Sequence, residues 1–288
     1  MTSNSISVII PVFKDWTRLK LCLNALNTQL NSTCSFEVLV VNNDPSDEHI
    51  PSETYSFPIK YLKQTIPGSY SARNKGLSEA SGDAYLFTDS DCIPAHDWIY
   101  QASRLLEEGV ADLFAGSIEL FSHLDNKYVR LEKAFAFPNA RYVSKYNFGV
   151  TANLLVRKEV VARVGGFNFN LFTGGDSEFC NRAVDAGFKI QYSPELKIGH
   201  PARSSWKELR VRAIRFGGRL PKDQSKLLIT AKLIGKFRIQ WKDIVEIFSL
   251  PDVSIAEKLK FFGIRQNLRW VEAMESFSVF MGKKPGRK

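Results

Sequence analysis

Two β-branched apolar runs, Ile6-Ser7-Val8-Ile9-Ile10-Pro11-Val12 and Phe36-Glu37-Val38-Leu39-Val40-Val41-Asn42, flank a segment whose leucines fall at helical spacing. This arrangement constrains the fold more than any other feature of the chain. Each run is too short for a helix and ends in loop chemistry, so both read as buried strands. Between them, residues 17–29 bring Leu19, Leu23, Leu26 and the following Leu30 onto one helical face. A strand, a helix and a second buried strand close as a crossover unit, which needs a parallel sheet.

The alternation continues with a strand at 59–62, a helix over 69–81, a strand at 84–89, a helix over 97–108 opened by Asp97 as an acidic N-cap, and a strand at 113–121. From about residue 128 the rhythm changes. A helical segment carrying Phe135 and Phe137 precedes a loop rich in Tyr, Asn and Gly, then a strand at 153–156 and a short helix ending at Gly165-Gly166-Phe167. Thr173-Gly174-Gly175-Asp176 opens another helix, and 189–192 forms a closing strand. The predicted class is α/β, a mixed but mainly parallel sheet flanked by helices.

The chain has 288 residues, of which 44% are hydrophobic, enough for a substantial core. No uninterrupted apolar stretch approaches the roughly 18–20 residues of a membrane span. Met1-Thr2-Ser3-Asn4-Ser5 lacks the basic and apolar regions of a secretory signal, so a cytoplasmic protein is expected. Cys22, Cys34, Cys92 and Cys180 are widely spaced, which argues against a zinc knuckle and fits unpaired thiols in a reducing compartment.

Charge is unevenly distributed. Residues 201–288 carry 20 Lys and Arg against 8 Asp and Glu, whereas the first 200 carry 19 against 22. This stretch reads as a helical, basic C-terminal extension, with apolar positions at Leu228, Leu233, Ile234 and Phe237. Such a tail suits nucleic acid, an anionic membrane surface or a polyanionic substrate, and charge alone does not choose among them.

In an open α/β sheet, ligands bind beyond the carboxyl ends of the strands. Here those ends are Pro11-Val12-Phe13, Asn42-Asn43-Asp44 and Asp89-Ser90-Asp91, three loops converging on one crevice. Asp89 and Asp91 at a strand end have the chemistry to hold a hard divalent cation against a diphosphate. The glycine-rich dinucleotide and P-loop signatures are absent from the first strand-to-helix turn, which counts against both of those enzyme classes.

In these residues the chain resembles the family 2 glycosyltransferases of the GT-A fold. The resemblance rests on Ser7–Phe13, Val40-Val41-Asn42-Asn43, Ser71-Ala72-Arg73-Asn74-Lys75-Gly76 before Ala80-Ser81-Gly82-Asp83, Asp89-Ser90-Asp91, and Gly174-Gly175-Asp176-Ser177-Glu178-Phe179-Cys180-Asn181-Arg182. These segments keep the family's order and spacing over about residues 5–200. The resemblance implies a catalytic domain over 1–200, with a nucleotide-binding half at 1–125 and an acceptor half at 126–200, followed by the extension at 201–288.

It also implies roles. Pro11, Val12, Phe13, Asn42, Arg73, Asp89, Ser90 and Asp91 would bind the nucleotide-sugar, with Mn²⁺ or Mg²⁺ on Asp89 and Asp91. His200 would add a metal or phosphate contact. Asn42 stands where the family usually has a base-reading aspartate; an amide both donates and accepts. Asp176 would be the catalytic base of inverting transfer to a hydroxyl acceptor, a saccharide or a lipid-linked sugar, preceded by Gly175 where the family commonly has an acidic residue. Asn153, Gly175, Glu178 and Trp206 would border the acceptor. The expected pathway is cell-surface polysaccharide or glycolipid synthesis, at an anionic membrane surface and without a nucleic-acid partner. Two rivals are a sugar-phosphate nucleotidyltransferase, whose glycine-rich basic first loop is absent here, and a nucleic-acid-binding protein using the basic tail, which no motif supports.

Overall fold

β1 (Ile6–Val12) is buried at all seven positions. It lies between β2 (Phe36–Asn42) and β4 (Ala84–Thr88), parallel to both. The structure, a computed structural model, describes residues 5–30, 34–49, 51–219, 230, 233 and 235–285. β3 (Ile59–Lys63) extends the parallel region beyond β2. On the other side β7 (Asn153–Arg157) runs antiparallel between β4 and β6 (Leu113–Phe121), while β8 (Ile190–Pro201) is parallel to β6 and antiparallel to β5 (Ile93–Pro94). The eight-stranded order is β3-β2-β1-β4-β7-β6-β8-β5, the mixed, mainly parallel sheet that the sequence predicts.

Continuous apolar runs follow from burial on both faces. Ile6, Val8, Ile10 and Val12 pack with Leu19, Cys22, Leu23 and Leu26 of α1 (Trp16–Asn27) on one face. Ile9 points to the opposite layer, with Leu39, Phe87, Leu154 and Phe179. Each fully buried Ile or Val contributes about 1.5–3 kcal/mol. α1 ends at Asn27, so Leu30, expected on its inner face, is instead exposed, and its N–H bonds the His96 carbonyl at 2.7 Å.

The closing strand is longer than the predicted 189–192. Pro194 interrupts the pattern, yet pairing resumes: Gly116 faces Ser193 and the next residue, Ser117, faces Lys197. The three residues between form a bulge, and fully buried Asn153 holds it. Its Nδ2 donates to the carbonyls of Ser117 (2.8 Å) and Leu196 (2.7 Å), and its Oδ1 accepts from Trp98 Nε1 (3.0 Å). A Cβ at Gly116 would lie 2.2 Å from that amide, so only glycine fits there. The continuation after the bulge delivers His200 to the sheet end.

The remaining helices of this region are α2 (Ser69–Glu79), α3 (Trp98–Glu108), α5 (Asn139–Tyr146), α6 (Lys158–Val164) and α7 (Gly175–Asp185). Asp97 precedes α3, but its carboxylate accepts from Gln101 Nε2 at 2.8 Å and caps no backbone N–H, a correction to its expected role. Two motif segments serve the scaffold. Ser7 Oγ donates to Glu37 and accepts from the Gly82 N–H, latching β1 and β2 to the turn before β4. Asn74 clamps Phe167 through both its N–H and its carbonyl, at 2.8 and 2.7 Å.

Two compact units emerge. One holds the described residues up to Phe121 with 137–170 and 174–201; the other holds 122–136, 171–173 and the described residues from Ala202. The last passage from the first unit to the second falls between Pro201 and Ala202, and the second unit also takes in 122–136 and 171–173. The expected halves, 1–125 and 126–200, do not match these units, because α4 (Lys127–Phe135) groups with the C-terminal helices and Phe137 lies beyond its end with a φ of 53°. The second unit is built from α4, α8 (Trp206–Gly217), α9 (Trp241–Phe248) and α10 (Ile255–Phe280), around Leu131, Leu209, Ala213, Ile247, Phe261 and Leu268. Ser205 and Glu208 form a capping box at the start of α8. Leu233 is buried and Phe237 exposed; Leu228 and Ile234 lie outside the described residues.

Candidate active site

The strand-end acidic pair is divided between two partners. Asp89 accepts from Arg73 Nη2 at 2.5 Å. Arg73 itself, delivered by α2, is almost wholly buried, and its Nε has no acceptor among the described residues. Asp91 turns the other way, with Oδ1 3.7 Å from His200 Nε2 and Oδ2 3.4 Å from Arg18 Nη1. Burial pushes the Asp91 carboxyl above its ordinary value; the positive side of His200 opposes this and the charge of Asp89 adds to it.

His200 is oriented for a ligand. Its Nδ1 lies 2.8 Å from the Pro201 carbonyl, which can only accept, so Nδ1 carries a hydrogen and Nε2 is the ring nitrogen that faces Asp91. Phe137 holds the ring, with centroids 4.6 Å apart. Cys92 completes a group of three potential ligand atoms within 4.8 Å of one another. Its fully buried thiol is pushed well above the ordinary range by burial, so it stays protonated, and a hard cation has little use for it.

Asp176 sits in the first turn of α7, whose N-cap is the left-handed Gly174. Its side chain does not cap the helix. Oδ1 instead accepts from Thr151 Oγ1 at 3.0 Å, and the carboxyl is pushed upward by burial, with the Arg73 guanidinium and Thr151 pulling it back. Gly175 is required where an acidic residue was expected from the resemblance. Its N–H donates to Tyr70 Oη at 2.9 Å, and a Cβ there would lie 2.6 Å from the Tyr70 ring. Glu178 is committed elsewhere, in a two-pronged pair with Arg182 at 2.8 and 3.1 Å, and Arg182 in turn donates to the Gly166 carbonyl at 2.8 Å.

Comparison with known proteins decides what carries this geometry. Residues 7–167 match the model of glycosyl transferase family 2. This chain belongs to that family. It is 34% identical over 220 residues to glycosyltransferase AglE of Haloferax volcanii, covering 74% of this chain and 71% of AglE. It is 23% identical over 262 residues to the dolichyl N-acetyl-alpha-D-glucosaminyl phosphate 3-beta-D-2,3-diacetamido-2,3-dideoxy-beta-D-glucuronosyltransferase of Methanococcus voltae, covering 83% and 77% of the two chains. Among solved structures, the mannosyltransferase PcManGT from Pyrobaculum calidifontis, in complex with GDP-Man and Mn²⁺, superposes with a TM-score of 0.58 at 14% identity over 98% of this chain and 88% of that one. The structural likeness shows the GT-A glycosyltransferase fold. The chain is an enzyme, a glycosyltransferase, and the nucleotidyltransferase alternative falls.

In this glycosyltransferase the second-strand loop differs from the sequence expectation. Asn42 is buried, with Nδ2 donating to the Asp47 carbonyl (3.1 Å) and Oδ1 accepting from the Asp44 N–H (2.9 Å), so its amide shapes the loop. Asp44 accepts from Ser46 and pairs with Lys14 at 3.5 Å; the Ser46 bonds hold its carboxyl below the usual range. Pro11, Val12 and Ser90 are buried, and of the first loop's expected residues Phe13 offers an exposed face. Asn153, expected to border the acceptor, is consumed by the β6–β8 bulge. Trp206 belongs to the second unit, where it packs on that unit's core. Arg18, Thr151 and Tyr70 were missed by the sequence reading. A basic residue one turn into the helix after β1 was the available signal for Arg18; Thr151 and Tyr70 had none.

Proposed function

We infer that this glycosyltransferase is metal-dependent and inverting, moving a sugar from a nucleoside diphosphate donor to a hydroxyl of a saccharide or lipid-linked acceptor in cell-surface polysaccharide or glycolipid synthesis. The observation that carries the reading is the division of carboxylates by role. Asp91 faces His200 Nε2, whereas the Asp176 carboxylate accepts from the Thr151 hydroxyl and lies within the influence of Arg73. The residues fit a hard divalent cation, since Asp91 Oδ1 and His200 Nε2 supply an oxygen and a nitrogen 3.7 Å apart at a strand end. Asp91, His200 and the neighbouring Asp89 would hold Mn²⁺ or Mg²⁺, which neutralises a leaving diphosphate when bound. PcManGT was solved with GDP-Man and Mn²⁺, which supports the same ligands here.

The chain's own residues supply the rest. Arg73, whose buried Nε has no partner among the described residues, and Arg18 place fixed positive charge at the strand ends where phosphate oxygens would lie. Phe13 offers an exposed ring for the base. Asp176 accepts the acceptor hydroxyl's proton as the anomeric bond breaks, and its raised carboxyl makes it a better base near neutral pH than an ordinary aspartate. The Methanococcus voltae relative is named for a dolichyl sugar phosphate, which supports a lipid-linked acceptor.

Thermal stabilisation by a panel of nucleotide-sugars, with Mn²⁺ and with chelator, tests the reading. A matching donor at a hundred times its Kd adds about 2.7 kcal/mol to stability. The gain should require metal and vanish in Asp91→Asn and His200→Ala. Stabilisation indifferent to chelator would remove the metal from the reading.

A further inference from the structure

In the C-terminal unit several charged and polar side chains are buried beside the apolar core, while α9 and α10 each carry an exposed apolar stripe. On α9, Asp243 is 1% exposed and takes both Arg265 (2.9 Å) and Arg269 (2.6 Å). Trp241, Val245 and Phe248, at i, i+4 and i+7, form the exposed stripe of the same helix, Trp241 being 74% exposed. On α10, Lys258, Gln266, Glu275 and Ser276 are buried, with Lys258 Nζ donating to the Phe248 carbonyl and Ser276 Oγ to the Gly217 carbonyl. Ile255, Leu259, Trp270, Met274, Phe277 and the C-cap Met281 are exposed. At 3.6 residues per turn these six fall within an arc of about 100°, interrupted midway where Gln266 is buried.

Contiguous apolar stripes left on a surface mark a protein or membrane interaction site. Among the described residues no helix is long and apolar enough to cross a membrane. An interfacial mode of binding requires no such helix. We propose that the exposed apolar faces of α9 and α10 dock this enzyme on the surface of an anionic bilayer. Charge selects this occupant. Among the described residues after position 200, nine Lys and Arg are exposed against two Asp and Glu, so a second copy would bring two like-charged surfaces together, whereas anionic headgroups neutralise the charge. Nucleic acid would match the charge but leave the Trp, Leu, Met and Phe side chains in water.

The test is co-sedimentation of the full chain with phosphatidylcholine vesicles, with and without phosphatidylglycerol. The chain should pellet with the anionic vesicles. Leu259→Glu combined with Met274→Glu, which alters side chains 57% and 64% exposed, should weaken binding by about tenfold or more with an unchanged melting transition. If that variant fails to fold, Trp241→Glu on the other helix reads the same face. Donor stabilisation should be unchanged, since none of these residues belongs to the donor site. Variants that bind as well as the parent, or a parent that ignores anionic vesicles, would overturn the proposal. So would a concentration-dependent dimer abolished by the same substitutions, which would give the faces to a second copy, or tighter binding to an oligonucleotide than to vesicles.

Discussion

Replacing Asp176 by Asn removes a charge and a basic atom while keeping the shape. The new Oδ1 can still accept the Thr151 hydroxyl that now lies 3.0 Å from the carboxylate, so the start of α7 should hold its place. General-base removal costs roughly 10²–10⁴ in rate, about 3–5.5 kcal/mol of transition-state stabilisation. Stability should move the other way. A carboxyl raised by burial binds its proton more tightly when folded, so its stabilising contribution is complete below the unfolded value and lost as pH rises through the folded one. At neutral pH ionised Asp176 therefore opposes folding, and the Asn variant should melt at the same temperature or higher. Wild-type kcat should carry an acid limb above the ordinary aspartate range, and the residual activity of the variant should lack it. Steady-state kinetics across pH, donor affinity and thermal melting together decide the matter. A kcat within tenfold of wild type would refute the assignment, as would a joint loss of donor affinity and melting temperature, since a base acts on the transition state rather than on ground-state binding.

Three further outcomes follow from the same geometry. Asn153→Ala strands the Trp98 N–H and two buried carbonyls, so urea unfolding should show a loss of about 3 kcal/mol or more; a neutral effect would contradict its scaffold role. Tyr70→Phe removes the acceptor of the Gly175 N–H and should lower kcat with little change in donor affinity, while Gly175→Ala, which collides with the Tyr70 ring, should be worse. Glu178→Gln keeps a hydrogen bond to Arg182 and should retain kcat within about tenfold; a loss as deep as that of Asp176→Asn would move the base to Glu178.

The sequence alone determined the parts of this enzyme that follow from local pattern. Ile6–Val12 and Phe36–Asn42 are apolar without alternation because both faces of a parallel sheet are buried, so their strand character was legible residue by residue. Asp89 and Asp91 stood out because they follow a strand whose position the apolar run fixes, whereas Arg73 and Asp176 were marked by the resemblance to family 2 glycosyltransferases. Only the tertiary structure decided what each polar atom was free to do, because hydrogen-bond partners are set by segments distant in sequence. Asn42 and Asn153 look as available as Asp91 in a linear reading, yet one amide is spent on its own loop and the other on a bulge that Pro194 conceals. His200 reaches Asp91 only because β8 resumes after that bulge, and Thr151 finds Asp176 across 25 residues of chain. In the C-terminal helices, composition gave the charge and the apolar count. Which face each side chain takes was decided by Asp243 drawing Arg265 and Arg269 inward, a long-range pairing that leaves the apolar stripe of α9 on the outside.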